Sequence, residues 1–120
     1  MKILIADDSK AMRQVIGHML HQAGYSGFRV VEAADGVEAL EKTTIEAPDL
    51  VLSDWDMPNK SGIEFLQELR ASGNEVPFGF VTTDVSPEMR SLATQSGATF
   101  LIGNPFMPED FRRVLHACMR

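Results

Sequence analysis

The segment Ile3-Leu4-Ile5-Ala6-Asp7-Asp8-Ser9 joins an unbroken apolar run to two acids and a helix-capping serine. A short run that is hydrophobic at every position, rather than at alternate ones, is what a strand buried on both faces of a parallel sheet requires. Beyond it, Met12, Val15, Ile16, Met19, Leu20 and Ala23 recur at three- and four-residue steps, so an amphipathic helix follows. Ser9 is placed to cap its start and Gly24 to end it.

The same unit repeats along the chain. Further apolar runs stand at Phe28-Arg29-Val30-Val31, Leu50-Val51-Leu52, Phe78-Gly79-Phe80-Val81 and Thr99-Phe100-Leu101-Ile102, and most of them are expected to be buried strands. Between them, Val37, Leu40, Thr44 and Ala47 form a second stripe that Pro48 stops. Ser61-Gly62-Ile63-Glu64 has the spacing of a capping box, opening a helix through Leu66 and Leu69 that ends near Gly73. Ser86-Pro87-Glu88 combines a cap, a first-turn proline and an acid near the positive end of the helix dipole. Pro108-Glu109-Asp110 opens a last helix with Phe111, Val114, Leu115 and Cys118 facing inward. Five strands alternating with five helices predict an α/β fold, a doubly wound five-stranded parallel sheet with right-handed crossovers, taken in the common order 2-1-3-4-5. One domain over residues 1–120 is expected from the length.

Composition narrows the function classes. With 44% hydrophobic residues the chain can bury a core unaided, and its single cysteine allows no internal disulfide. Seventeen acids against 11 basic residues give a net charge of −6 without any Lys/Arg run, which argues against nucleic acid or an anionic membrane as partner. No apolar stretch is long enough to span a bilayer or to serve as a signal-peptide core, so a cytoplasmic location is expected.

In a doubly wound sheet, functional groups gather at the carboxyl ends of the strands. Asp7 and Asp8 follow the first strand, Asp54 the third with Asp56 two residues on, Thr82 closes the fourth, and Asn104-Pro105 follows the fifth. With strands one and three adjacent, Asp7, Asp8 and Asp54 converge. Three close carboxylates need protons or a cation, and an all-oxygen set of this kind suits Mg²⁺. A carboxylate beside Mg²⁺ can attack a phosphoryl group and form an acyl phosphate, with Thr82 placed to bond a phosphoryl oxygen.

The motifs Ile3-Leu4-Ile5-Ala6-Asp7-Asp8-Ser9, Ser53-Asp54-Trp55-Asp56-Met57-Pro58-Asn59, Val81-Thr82-Thr83 and Asn104-Pro105-Phe106 together resemble the receiver domain of two-component response regulators. The likeness covers essentially the whole chain, and residues 53–59 look especially like the chemotaxis branch, CheY. The resemblance implies that Asp54 accepts a phosphoryl group from a sensor histidine kinase or phosphotransfer protein. It implies Mg²⁺ held by the side chains of Asp8 and Asp54 and the backbone carbonyl of Asp56, with Asp7 acting through a bound water. Thr82 would be the switch hydroxyl and Trp55 a rim residue whose fluorescence reports the ion. A regulatory phosphoacceptor rather than a classical enzyme is implied. Without an output domain after the fifth helix, the signal is expected to pass to a protein target through the face of helix four, strand five and helix five. A monomer is the default expectation.

Two positions depart from the family pattern. Asn104 stands where most receivers carry a lysine that contacts the phosphoryl group. An amide carries no charge, and a charge-assisted hydrogen bond contributes about 1.5–3 kcal/mol, so the phosphorylated state should lose support of that order. Leu101 replaces the tyrosine or phenylalanine that usually signals activation, and Phe100, on the opposite sheet face, is no simple substitute. Thr83 is larger than the usual alanine or glycine and is expected to narrow access for attacking water; Asp84 could influence the same step.

The alternative is a degenerate receiver acting as a phosphorylation-independent interaction module. A haloacid dehalogenase phosphatase is suggested by Asp54-Trp55-Asp56, but that family places its Asp-x-Asp motif after the first strand. Flavin binding is disfavoured by the acid pair after strand one. His18, His21 and His116 lie off the apolar stripes and are expected in solvent, as are Arg112 and Arg113. The seven methionines are expected in core and rim packing, and Cys118 as a buried thiol.

Overall fold

Strand and helix alternate five times: β1 (Lys2–Ala6), α1 (Lys10–Gln22), β2 (Arg29–Ala33), α2 (Gly36–Glu46), β3 (Leu50–Ser53), α3 (Gly62–Ala71), β4 (Phe78–Thr82), α4 (Pro87–Gln95), β5 (Phe100–Gly103) and α5 (Pro108–Cys118). The structure is a computed structural model that describes residues 1–83, 85–103 and 105–118, the last without its side chain. The readings placed on Asp84, on Asn104 and on the Cys118 thiol lie outside the described residues. All strand pairs are parallel, in the order β2-β1-β3-β4-β5. That is the expected doubly wound sheet. Ala6 pairs with Ser53, so β1 and β3 end side by side and the residues that follow them meet.

Alternation along the strands splits the core into two layers. Ile3, Ile5, Leu50 and Leu52 face Ile16 and Leu20 of α1 and Phe111 and Leu115 of α5. Leu4, Ala6 and Val51 face Ala39 of α2, Phe65, Leu66 and Leu69 of α3, and Ala93 of α4. The second layer is the aromatic one: Phe65 and Phe80 each lie about 5 Å, centroid to centroid, from Phe78.

Caps set the helix starts. Ser9, Ser61 and Ser86 accept from the backbone N–H of Met12, Glu64 and Met89, and Ser61 with Glu64 completes the expected capping box. Three expectations need correction. β2 is an edge strand whose Arg29, Val30 and Glu32 are exposed, because only β1 covers it. The buried face of α2 is Gly36, Ala39 and Thr43, rotated from the expected stripe, and Val37 and Thr44 face outward. Gly36 makes that rotation possible: a Cβ there would lie 2.3 Å from the Lys60 carbonyl oxygen, so only glycine lets α2 start so close to that loop. In α1, Val15 is 41% exposed while Ile16 and Leu20 carry the burial.

Candidate phosphoacceptor site

The acids after β1 and β3 are placed by main-chain hydrogen bonds that extend the sheet. Asp7 N–H donates to the Ala33 carbonyl at 3.0 Å, and Asp54 N–H to the Ala6 carbonyl at 2.8 Å. One carboxylate oxygen from each of Asp7, Asp8 and Asp54 then lies within 4.8 Å of the others. Asp7 is buried, Asp54 half-buried and Asp8 exposed. Asp7 Oδ1 accepts from Ser9 N–H at 2.8 Å, and Asp54 Oδ1 from Trp55 N–H at 2.7 Å.

The acceptor's main chain is enclosed as well. Ser53 Oγ donates to the Asp54 carbonyl at 2.8 Å. Gly62, opening α3, passes so close that a Cβ would lie 2.0 Å from that same oxygen, while its N–H donates to the Trp55 carbonyl at 2.8 Å. The loop between β3 and α3 is thus closed on itself at both ends.

Gathering three carboxylates has an electrostatic cost. Burial first, then the charge of Asp7, with smaller parts from Asp56 and Asp8, pushes the Asp54 carboxyl up to about 6 against the Trp55 N–H that favours the ion. Asp7 is raised as well, mainly by burial and further by Asp8, with Ser9 N–H and Arg13 opposing. An all-oxygen set whose ionised form is penalised in this way is a set that a hard divalent cation would relieve, so the residues fit Mg²⁺.

A cavity of about 190 Å³ opens beside the three acids. Thr82, buried at the end of β4, and exposed Thr83 line its other side. Met12 of α1 and Phe106 form apolar walls. Phe106 was visible only as part of a motif and Met12 only as part of a stripe; sequence periodicity does not show which stripe residue tops a cavity. Asp56 is exposed and stands apart from the three-carboxylate group, acting on Asp54 through its charge. Trp55, expected at the rim, is half-buried with its ring on Phe80, centroids 4.8 Å apart.

Leu101 and Phe100 face opposite layers as expected. Leu101 packs with the aromatic layer. Phe100 packs with the aliphatic one, where its ring covers Gly79 so closely that a Cβ there would lie 2.0 Å from a ring carbon. His18, His21 and His116 are exposed. Arg112 is exposed too, yet it is more than a solvated charge: its Nε donates to the Ala23 carbonyl at 3.1 Å, joining α5 to the end of α1. Among the described residues no helix is long and apolar enough to cross a membrane.

The family profile of the response regulator receiver domain matches residues 3–116. Chemotaxis protein CheY1 of Helicobacter pylori is 34% identical over 99% of this chain and 97% of its own length. Response regulator MprA of Mycobacterium avium is 32% identical over the whole chain, which spans about half of that protein, 51%. Among solved structures, chemotaxis protein CheY4 of Vibrio cholerae superposes with a TM-score of 0.84 at 36% identity, covering 97% of this chain and 96% of that one. Five parallel strands in this order, an acid cluster at the ends of β1 and β3, and these relatives lead to one assignment: the chain belongs to the response regulator receiver domain family, as a regulatory domain of two-component signalling of the CheY-like kind.

Proposed function

We propose that the protein is a Mg²⁺-dependent phosphoacceptor, with Asp54 taking a phosphoryl group from the phosphohistidine of a sensor kinase or phosphotransfer protein. The observation that carries this is the meeting of Asp7, Asp8 and Asp54 beside a small cavity whose far side holds Thr82. Bound Mg²⁺ would offset the repulsion between carboxylate and phosphoryl oxygens. Asp8 and Asp54 would hold it by side chain, Asp56 by its backbone carbonyl and Asp7 through water.

At neutral pH a carboxyl that titrates near 6 is mostly ionised and available as nucleophile. An Asp54 oxygen bonds to phosphorus as the bond from phosphorus to the donor's imidazole nitrogen breaks, giving an acyl phosphate. The Thr82 hydroxyl, at the cavity wall, donates to a phosphoryl oxygen. Asn104 takes the position of the usual lysine without its charge, so phosphorylation and its readout are coupled more weakly than in relatives. We place the protein in the cytoplasm as a single monomeric domain over residues 1–120, signalling to a protein target through the face of α4, β5 and α5.

Intact-mass spectrometry after acetyl phosphate treatment tests the proposal. One added phosphoryl group that needs Mg²⁺ and is absent in Asp54→Asn is the expected result. Absence of an adduct at early times, with Mg²⁺ binding intact, would replace it with a phosphorylation-independent interaction module.

A further inference from the structure

Asp7 is held at three points, and one of the holders is a charged side chain that does not line the cavity. Its N–H goes to Ala33 and its Oδ1 to Ser9, as described; its carbonyl oxygen accepts from Arg13 Nη1. Arg13 Nε turns the other way and donates to Glu32 Oε1 at 2.8 Å. The arginine side chain is 13% exposed and that of Glu32 48%. The guanidinium is therefore wedged between α1 and the edge strand β2, with the carboxylate as its outer anchor.

The charges of α1 point the same way. In the first turn, α2 carries Glu38, α3 Glu64, α4 Glu88 and α5 Glu109 with Asp110, each favourable to the helix dipole. α1 has no acid there, and its opening stretch instead holds Lys10 and Arg13. Cations at a helix start run against the dipole. Arg13 stands there with two donors aimed at Asp7 and Glu32, and departures from local preference of this kind mark places where something else is being arranged.

We infer that Arg13 is a positioning residue for the metal site: by holding the Asp7 carbonyl it fixes the plane of the Asp7–Asp8 peptide and so aims the Asp8 carboxylate at Asp54. A peptide is planar, so the direction of one carbonyl sets the position of the next N and Cα. Asp8 is exposed, and its aim depends on that backbone more than on packing. Glu32 in turn holds the guanidinium in its bridging pose. The inference rests on the proposed Mg²⁺ site.

Calorimetric titration of the purified chain with MgCl₂ separates the possibilities by sign. Loss of a partner that orients a ligand typically weakens metal binding about 10–100-fold, and Arg13→Ala is expected at the lower end, about tenfold weaker. Arg13→Lys keeps the charge without the two-way fork and should recover only part of the loss. Glu32→Gln, an exposed change that keeps an acceptor, should weaken binding less. A guanidinium that acted only as a nearby charge would do the opposite, since removing it favours a cation. Unchanged or tighter binding in a folded Arg13→Ala protein overturns the inference. Should that variant melt below the assay temperature, Arg13→Lys decides, and wild-type affinity there overturns it. A wild type that takes up no Mg²⁺ removes the proposed metal site itself, and the inference with it.

Discussion

The ends of β1 and β3 and the ends of β4 and β5 share one edge of the sheet, yet they are held in place by different means. At β1 and β3 the chain is fixed by its own main chain: Asp7 on Ala33, Asp54 on Ala6, and the close passage of Gly62 over the Asp54 carbonyl. At β4 and β5 the main-chain ladder runs to Thr82 and Gly103, and the contacts described around that end are of side chains: Val85 lies over Gly103, where a Cβ would be 2.7 Å from Val85 Cγ2, and Leu101, two residues earlier, packs against the aromatic layer. Main-chain hydrogen bonds have few alternative geometries, whereas a half-buried leucine can exchange rotamers at small cost. The main chain around Asp54 is therefore more narrowly constrained than the packing of half-buried Leu101 on β5.

Gly62→Ala is the strongest way to break this contrast. A methyl group 2.0 Å from the Asp54 carbonyl oxygen must displace backbone rather than a flexible side chain. A loss of about 3 kcal/mol is expected, the upper part of the overpacking range, read as a lower urea midpoint with unchanged slope. The acceptor chemistry should fall with it.

Asp54→Asn acts in the other direction and sharpens the comparison. The fold raises this carboxyl from its ordinary 3.8 to about 6, so the folded state prefers the neutral form. That preference stabilises the metal-free protein fully below the unfolded pKa and is lost as pH rises through the folded one. Discounted for partial exposure, Asp54→Asn should stabilise the metal-free chain at neutral pH by about 1–2 kcal/mol. The gain should shrink as pH falls from 6 towards 4. Thermal melts across that range check both statements, and a gain that grows on acidification would contradict the assigned direction.

Leu101→Ala should have the smallest effect. Truncation of a fully buried leucine costs about 2–5 kcal/mol, but this one is half-buried on a strand at the sheet's edge. About 1 kcal/mol is expected in urea unfolding, with phosphoryl acceptance at Asp54 retained. A loss as large as that of Gly62→Ala would show that the β5 side is as tightly specified as the β1–β3 side.

The alternation of strands and helices, the starts of α1, α3 and α4 and, given the order common to such sheets, the convergence of Asp7, Asp8 and Asp54 were legible in the chain. Short apolar runs bounded by turn and cap residues favour strands, caps act within four residues, and acids that end adjacent parallel strands lie side by side. These are local or topological constraints, and one-dimensional information suffices for them. Tertiary structure decided the rest. It exposed β2 because an edge has one neighbour, and it turned α2 onto Gly36, Ala39 and Thr43 because the Lys60 carbonyl crosses its start. It also brought Arg13 to the Asp7 carbonyl and to Glu32 on the edge strand, and set Trp55 on Phe80. Each of these depends on which surfaces meet at distances of a few ångströms, and residue spacing along a chain carries no such distances.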